Sequence, residues 1–322
     1  MPAETIPAVP LPMPKLDRRK FIDPAVTAAG EPRASVALAK LETLWINTGT
    51  LCNLTCRNCY IESSPRNDRL AYISAAEVVA YLDEIERERL GTDTIGFTGG
   101  EPFMNPELPA MLESALCRGF DVLVLTNAMK PMIKQADALL RLNERFGAKL
   151  TLRVSIDHYS RAIHERERGR RTWEPTIDGL RWLVRNGFAV SLAARMLRRE
   201  TEADCRAGFS RLFRALDVDL DAADPHTLVV FPEMDETVDV PEITSSCWST
   251  LGKSPADVMC ASSRMVIKRR GRTQPSVVAC TLLPYDSRFE LGHTLAESFQ
   301  RVSLNHPHCA RFCVLGGASC RG

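Results

Sequence analysis

The sequence predicts an α/β fold, a partial (β/α)6 barrel followed by a small cysteine-rich α+β extension. Three observations predict it. From Leu44 onward, short β-branched runs alternate with amphipathic helical stretches, the pattern of consecutive βαβ units and a parallel sheet. The alternation repeats six times, which implies an open barrel. Beyond residue 240 it stops, and six cysteines follow in the last eighty-odd residues.

The elements are placed in chain order. Residues 1–40 carry Pro2, Pro7, Pro10, Pro12, Pro14, Pro24 and Pro32 with little periodicity and read as an extended leader. Strands are expected at 44–47, 94–97, 121–126, 149–156, 188–195 and 226–231, with helices near 75–90, 106–118, 131–146, 173–186 and 202–216. The barrel then spans 41–235 and the extension 236–322. Right-handed crossovers put every strand's C-terminal end on one rim, where parallel α/β folds bind their ligands.

Composition narrows the function classes. With 45% hydrophobic residues the chain can bury a sizeable core, and a formal charge of +1 gives no global attraction to nucleic acid or a membrane surface. No apolar run approaches the ~20 residues that span a bilayer. The first forty residues lack the layout of a secretory signal, so a cytoplasmic location is expected. Eleven cysteines, an odd count, in such a chain point to reduced thiols holding metal rather than to a disulfide framework.

The most informative motif directly follows the first strand. Cys52-Asn53-Leu54-Thr55-Cys56-Arg57-Asn58-Cys59 places three thiols at C-x3-C-x2-C spacing. Zinc normally takes four protein ligands, in pairs such as C-x2-C, and no partner pair lies nearby. A 4Fe-4S cluster usually takes four thiolates, so a three-cysteine loop leaves one iron open to a non-protein ligand. Some forty residues on, Thr94-Ile95-Gly96-Phe97-Thr98-Gly99-Gly100-Glu101-Pro102 runs a strand into a glycine pair and a carboxylate. Glycines there permit positive φ and close backbone approach.

Together the two motifs resemble the signature of radical S-adenosylmethionine (radical SAM) enzymes, over roughly residues 41–234. The resemblance implies that the open iron is chelated by the cofactor's amino and carboxylate groups. One-electron transfer then breaks the sulfonium and yields a 5′-deoxyadenosyl radical. It implies a low-potential electron donor such as flavodoxin or ferredoxin, and Gly99 and Glu101 as contacts of the cofactor amino group, beside Gly100. The family usually has an aromatic residue just before the third cysteine, whereas this chain has Asn58, to which only a backbone role is carried over.

Strand ends on the rim supply further candidates. Thr126-Asn127 closes the third strand, Ser155-Ile156-Asp157 the fourth and Arg195 the fifth. Asn127 is a cofactor-side candidate, and Ser155 and Arg195 are placed to bind the cofactor carboxylate by neutral and charge-assisted hydrogen bonds. After the sixth strand, Glu233 and Asp235 are candidate substrate-facing carboxylates in an acidic turn. His158 and the mixed-charge run from His164 to Arg171 are expected in a solvent-facing loop open to an anionic substrate.

The C-terminal cysteines are Cys247, Cys260, Cys280, Cys309, Cys313 and Cys320. The stretch from Cys260 through Gly271 to Cys280, followed by Leu291-Gly292 and the C-x3-C-x6-C tail, resembles SPASM or twitch extensions, in which a short hairpin and a cysteine-rich tail hold auxiliary clusters. With three cysteines in the loop and Cys117 and Cys205 on predicted helices, six thiols remain, too few for two complete extra clusters. The tail also lacks the C-x2-C-x5-C-x3-C run of full SPASM domains. One auxiliary 4Fe-4S cluster is expected, with four ligands from Cys260, Cys280, Cys309, Cys313 and Cys320. A zinc site of Cys309, Cys313, Cys320 and His306 or His308 is the alternative.

The function expected is hydrogen abstraction from a peptide, protein or small-molecule substrate, as in peptide maturation or cofactor biosynthesis. The alternative is a non-catalytic iron–sulfur protein for electron transfer or redox sensing, against which an amino-acid pocket of Gly99, Gly100, Glu101 and Arg195 argues.

Overall fold

The computed structural model describes residues 14–196, 200–232 and 235–317. Six parallel strands, β1 (Thr43–Asn47), β2 (Thr94–Thr98), β3 (Asp121–Thr126), β4 (Leu150–Ser155), β5 (Ala189–Arg195) and β6 (Leu228–Phe231), lie side by side in chain order. Each adjacent pair is parallel, so all six C-terminal ends reach one rim. Helices α1 (Ala75–Glu88), α2 (Leu108–Cys117), α3 (Ala136–Phe146), α4 (Arg161–Arg168), α5 (Trp173–Arg185) and α6 (Glu202–Leu216) connect them.

Local sequence explains the elements. Ser74 and Glu77 form a capping box that starts α1, and Val78, Tyr81, Leu82 and Ile85 recur at helical spacing to make its buried face. On the strands, period-two alternation sends Leu44, Ile46, Ile95, Phe97, Val122, Val124, Leu152 and Val154 into one core with the helices. The opposite face carries Trp45 beside its register partner Gly96. A Cβ on Gly96 would stand 2.4 Å from the indole, so only glycine leaves room for the ring.

The sheet does not close on itself. The second neighbour of β1 is not β6 but β7 (Ser263–Ile267), also parallel, which continues antiparallel into β8 (Ser276–Val278) and β9 (Glu290–Gly292). The hairpin expected between Cys260 and Cys280 is therefore present, and its turn contains Gly271 at φ 77°. It extends the barrel sheet from its first strand.

Two expectations need correction. The helix expected over 131–146 is broken into Lys130–Ile133 and α3. Residues 164–168 of the charged run after the fourth strand belong to helix α4 rather than to a solvent-facing loop, with His164 fully buried and Glu167 buried, while Arg170 and Arg171 beyond it are exposed. Alternating Arg and Glu hide its inward face, which packs His164 against Trp173 and pairs Arg168 with Asp157.

Residues 14–36 of the expected leader pack against the C-terminal part. The Leu16 amide donates to the Thr237 carbonyl (2.8 Å), that of Ala34 donates to Ile243 (2.9 Å), and Ser35–Val36 pairs with Val302–Ser303. The Glu242 carboxylate accepts from the Phe21 and Ala28 amides at 2.6 Å each and from Arg33. Phe21, Ala34 and Val36 share a core with Ile243, Val302 and Phe312. Among the described residues, no helix is long and apolar enough to cross a membrane.

Candidate cluster and cofactor site

The C-terminal ends of β2 to β6 and the loop that follows β1 surround a cavity of about 150 Å3 on whose wall Cys52, Cys56 and Cys59 all stand, with Gly99, Asn127, Ser155 and Arg195. The cysteine loop leaves β1 through Asn47, whose Oδ1 accepts the Gly49 amide at 3.0 Å. Backbone amides point at two of the sulfurs, Leu54 N–H to Cys52 Sγ (3.4 Å) and Ser63 N–H to Cys59 Sγ (3.3 Å). Such bonds favour the thiolate that a metal requires. Without that charge compensation, burial pushes the Cys52 thiol up to about 12 and raises that of Cys56.

The glycine pair clasps the start of that loop. Gly99 has φ 139°, and a Cβ there would lie 2.5 Å from the Gly49 carbonyl oxygen; one on Gly100 would lie 2.2 Å from that of Leu51. The Gly100 amide donates to Gly49 (2.8 Å) and the Glu101 amide to Leu51 (3.1 Å). Both glycines line the cavity, whereas Glu101 sits behind its wall. The Glu101 carboxylate is buried, accepting Thr126 Oγ1 and the Asn127 amide at 2.8 Å each and the Phe103 amide at 3.3 Å. Burial outweighs these bonds and raises its pKa to about 7. Asn127 donates through Nδ2 to Asn53 Oδ1 at 2.9 Å, which ties the end of β3 to the cysteine loop.

Helix α4 closes the other side. Its Glu167 carbonyl accepts the Arg57 amide and its carboxylate accepts Asn58 Nδ2, both at 2.8 Å. Arg195 Nη1 donates to the Asn58 carbonyl at 2.8 Å. Thus Asn58, where the family favours an aromatic residue, fastens the loop to the barrel through both its backbone and its side chain. Arg168 Nη2 stands 3.0 Å from Asp157 Oδ1, and Arg195 Nε 3.5 Å from the same oxygen. Burial would raise the Asp157 carboxyl, but the two guanidinium groups hold it below the usual range. Arg168 lines the cavity, which sequence reasoning missed by assigning its run to solvent. The signal was available in the spacing of His164 and Arg168, one helical turn apart.

His158 faces away, its Nδ1 accepting the Ser160 amide (2.8 Å) and its Nε2 3.5 Å from Glu200. A second, polar chamber of about 600 Å3 adjoins the first; Cys59, Tyr60, Asp157 and Arg195 line both. Asp235 borders this chamber while its carboxylate caps a turn, accepting the Thr237 amide at 3.0 Å and hydroxyl at 2.6 Å. Glu233 and Cys320 lie outside the described residues.

Cys260, Cys280, Cys309 and Cys313 gather around an apolar pocket with His308, which also lines the polar chamber. Burial pushes Cys260 up to about 11 and Cys309 up to about 12. Cys247 is not on that pocket's wall; its sulfur accepts the Thr244 amide at 3.4 Å. Cys205 is in the barrel core and Cys117 is exposed.

The residues present fit a 4Fe-4S cluster with an anionic co-ligand. Three thiols share one cavity, two receive amide hydrogens, and the buried Arg168 Nε and Ser63 Oγ on the same wall have no hydrogen-bond partner among the described residues. A partial parallel barrel with a three-cysteine loop and a glycine-pair turn on its rim defines a class of iron–sulfur enzymes. Residues 46–207, half of the sequence, match the family model described as the radical SAM superfamily, and the chain belongs to that superfamily. Membership implies a 4Fe-4S cluster and S-adenosylmethionine as cofactors.

Among curated proteins the chain is similar to the antilisterial bacteriocin subtilosin biosynthesis protein AlbA of Bacillus subtilis (strain 168). The two are 31% identical over 144 residues, which cover 44% of this chain and 30% of AlbA. It is also 32% identical over 154 residues to the GTP 3′,8-cyclase of Rhodococcus opacus (strain B4), covering 47% of this chain and 42% of that protein. The matches thus span about a third to two fifths of these relatives' length. Among solved structures, Streptococcus suis SuiB bound to S-adenosylmethionine shares the fold at 12% identity and a TM-score of 0.57, over 79% of this chain and 63% of SuiB.

Proposed function

We propose that this protein reductively cleaves S-adenosylmethionine at a 4Fe-4S cluster held by Cys52, Cys56 and Cys59, and uses the resulting radical to take a hydrogen atom from a peptide or protein substrate. The observation that carries the proposal is the convergence of the three thiols with Gly99, Gly100, Ser155 and Arg195 on one cavity. A cluster on these thiols would supply one electron to the bound cofactor, the chemistry that yields methionine and a 5′-deoxyadenosyl radical. The chain's own residues bind and orient. Ser155, Arg195 and the partner-seeking Nε of Arg168 receive the cofactor carboxylate, and the Gly99-Gly100 backbone approaches its amino group. Glu101 holds the ends of β2 and β3 together behind them. The apolar wall of Leu54, Phe231 and Phe312 excludes water from the reacting centre.

Substrate approaches through the polar chamber, which adjoins the cofactor cavity and contains Asp235. A peptide is favoured by the likeness to AlbA and by the fold shared with SuiB, also solved bound to its precursor peptide SuiA. A small-molecule substrate is the second reading, favoured by the likeness to GTP 3′,8-cyclase. Enzyme-family membership sets aside the purely electron-transferring alternative.

We further propose one auxiliary cluster on Cys260, Cys280, Cys309 and Cys313, with Cys320 as the other candidate ligand. The grouping of four thiols around one apolar pocket supports it. Metal analysis of anaerobically purified protein tests the count. About eight irons per chain are expected from two four-iron centres; about four irons with one zinc instead indicates the structural zinc site.

A further inference from the structure

Two buried arginines, Arg33 and Arg264, and the half-buried Arg168 differ in what neutralises them. Arg33 is paired with Glu242 at 2.5 Å and Arg168 with Asp157 at 3.0 Å. Arg264 on β7, 1% exposed, has no ion-pair partner among the described residues. Its guanidinium is instead held by four carbonyl oxygens: Cys260 (2.6 Å) and Ser263 (2.8 Å) from Nη1, Ser298 (3.0 Å) from Nε and Gln300 (3.4 Å) from Nη2. Carbonyls satisfy the hydrogens and leave the charge. An uncompensated buried cation is costly. One of its carbonyl partners belongs to Cys260, and β7, which carries it, joins Cys260 to the hairpin leading to Cys280.

We infer that Arg264 is the built-in counter-ion of an anionic metal–thiolate centre on Cys260, Cys280, Cys309 and Cys313, and that its charge holds the reduced centre in place and raises its potential. Four thiolates around a divalent ion or cluster core sum to a net negative charge, greater after reduction of a cluster. The inference rests on the reading of these cysteines as metal ligands and adds a positioning residue to it.

The test uses the full chain with Cys52, Cys56 and Cys59 replaced by alanine, so that only the C-terminal centre takes up iron. Its potential is followed by EPR during a redox titration, and its iron loss to a chelator is timed, in the parent and in Arg264→Gln and Arg264→Lys. The Gln variant is expected to titrate at a more negative potential and to bind metal about 10–100-fold more weakly, as when other outer-shell partners of a metal site are removed. The Lys variant, which keeps the charge but cannot reach all four carbonyls, is expected to match the parent's potential even with a lower Tm. If Gln leaves both readouts unchanged, or if Lys shifts the potential as much as Gln, Arg264 is only a staple and the inference is wrong. Should the Gln variant not fold, the Lys variant decides, since a displaced potential there excludes the charge role. A parent with no metal at this centre overturns the auxiliary-site reading itself, and the inference with it.

Discussion

Arg168 Nη2 lies 3.0 Å from Asp157 Oδ1, so a largely buried ion pair ties α4 to the end of β4 on the wall of the cysteine-lined cavity. Removing one partner leaves the other charge buried. Arg168→Leu is therefore expected to destabilise the apo-protein by about 3–5 kcal/mol, and Asp157→Asn combined with it to recover part of that loss. Urea denaturation of the single and double variants checks the coupling; strictly additive losses would show that the pair is not a unit.

Gly100 has no room for a side chain, because a Cβ would stand 2.2 Å from the Leu51 carbonyl, directly before Cys52. Gly100→Ala is expected to cost about 1–3 kcal/mol through overpacking and, by displacing the loop, to lower iron at the first site while sparing the C-terminal cysteines. Iron analysis and EPR separate the two sites. Full first-site occupancy in the variant would contradict this packing role.

Glu101 gives the stability of the apo-protein a pH signature. Its carboxyl is raised from 4.5 to about 7 by burial, so in that interval the folded state holds a proton that the unfolded state has lost. The contribution is fully present below about pH 4.5 and is lost as the pH rises to about 7, by at most about 3 kcal/mol. Buried histidines titrate in the same window, so the difference between wild type and Glu101→Gln is the useful quantity. That difference should fall towards pH 7; a flat difference would place Glu101 in a more solvated setting.

Asn58 links the cysteine loop to α4 through Glu167 Oε2 at 2.8 Å. Glu167→Ala is expected to weaken this anchor by about 1.5–3 kcal/mol, as for a hydrogen bond to a charged group, and to speed iron loss from the first cluster under chelator. Glu167→Gln should retain most of the anchor. Equal rates in all three proteins would remove α4 from the account of loop placement.

What the sequence disclosed follows from what each signal depends on. The strands and most helices were legible because Leu44, Ile46, Val122, Val124, Leu152 and Val154 are buried by a local period of two, and the five helical stretches by a period near 3.6. The cysteine loop and glycine turn were legible because their spacing is itself the chemistry. Helix α4 was hidden because its inward side chains are His164, Glu167 and Arg168, polar groups made buriable by partners elsewhere in the chain. The packing of residues 14–36 was equally hidden, since Glu242 and Ile243 lie more than two hundred residues away. The inward turn of Glu101 depends on Thr126 and Asn127, which only the finished sheet brings beside it.

The most direct test is product analysis after anaerobic reconstitution with iron, sulfide, reductant and S-adenosylmethionine, comparing the wild type with the variant in which Cys52, Cys56 and Cys59 are all replaced by alanine. The wild type should release methionine and 5′-deoxyadenosine, and the triple variant neither, while keeping iron at its C-terminal cysteines. Formation of 5′-deoxyadenosine by the triple variant at the wild-type rate would contradict the assignment of those three thiols to the cluster that cleaves the cofactor.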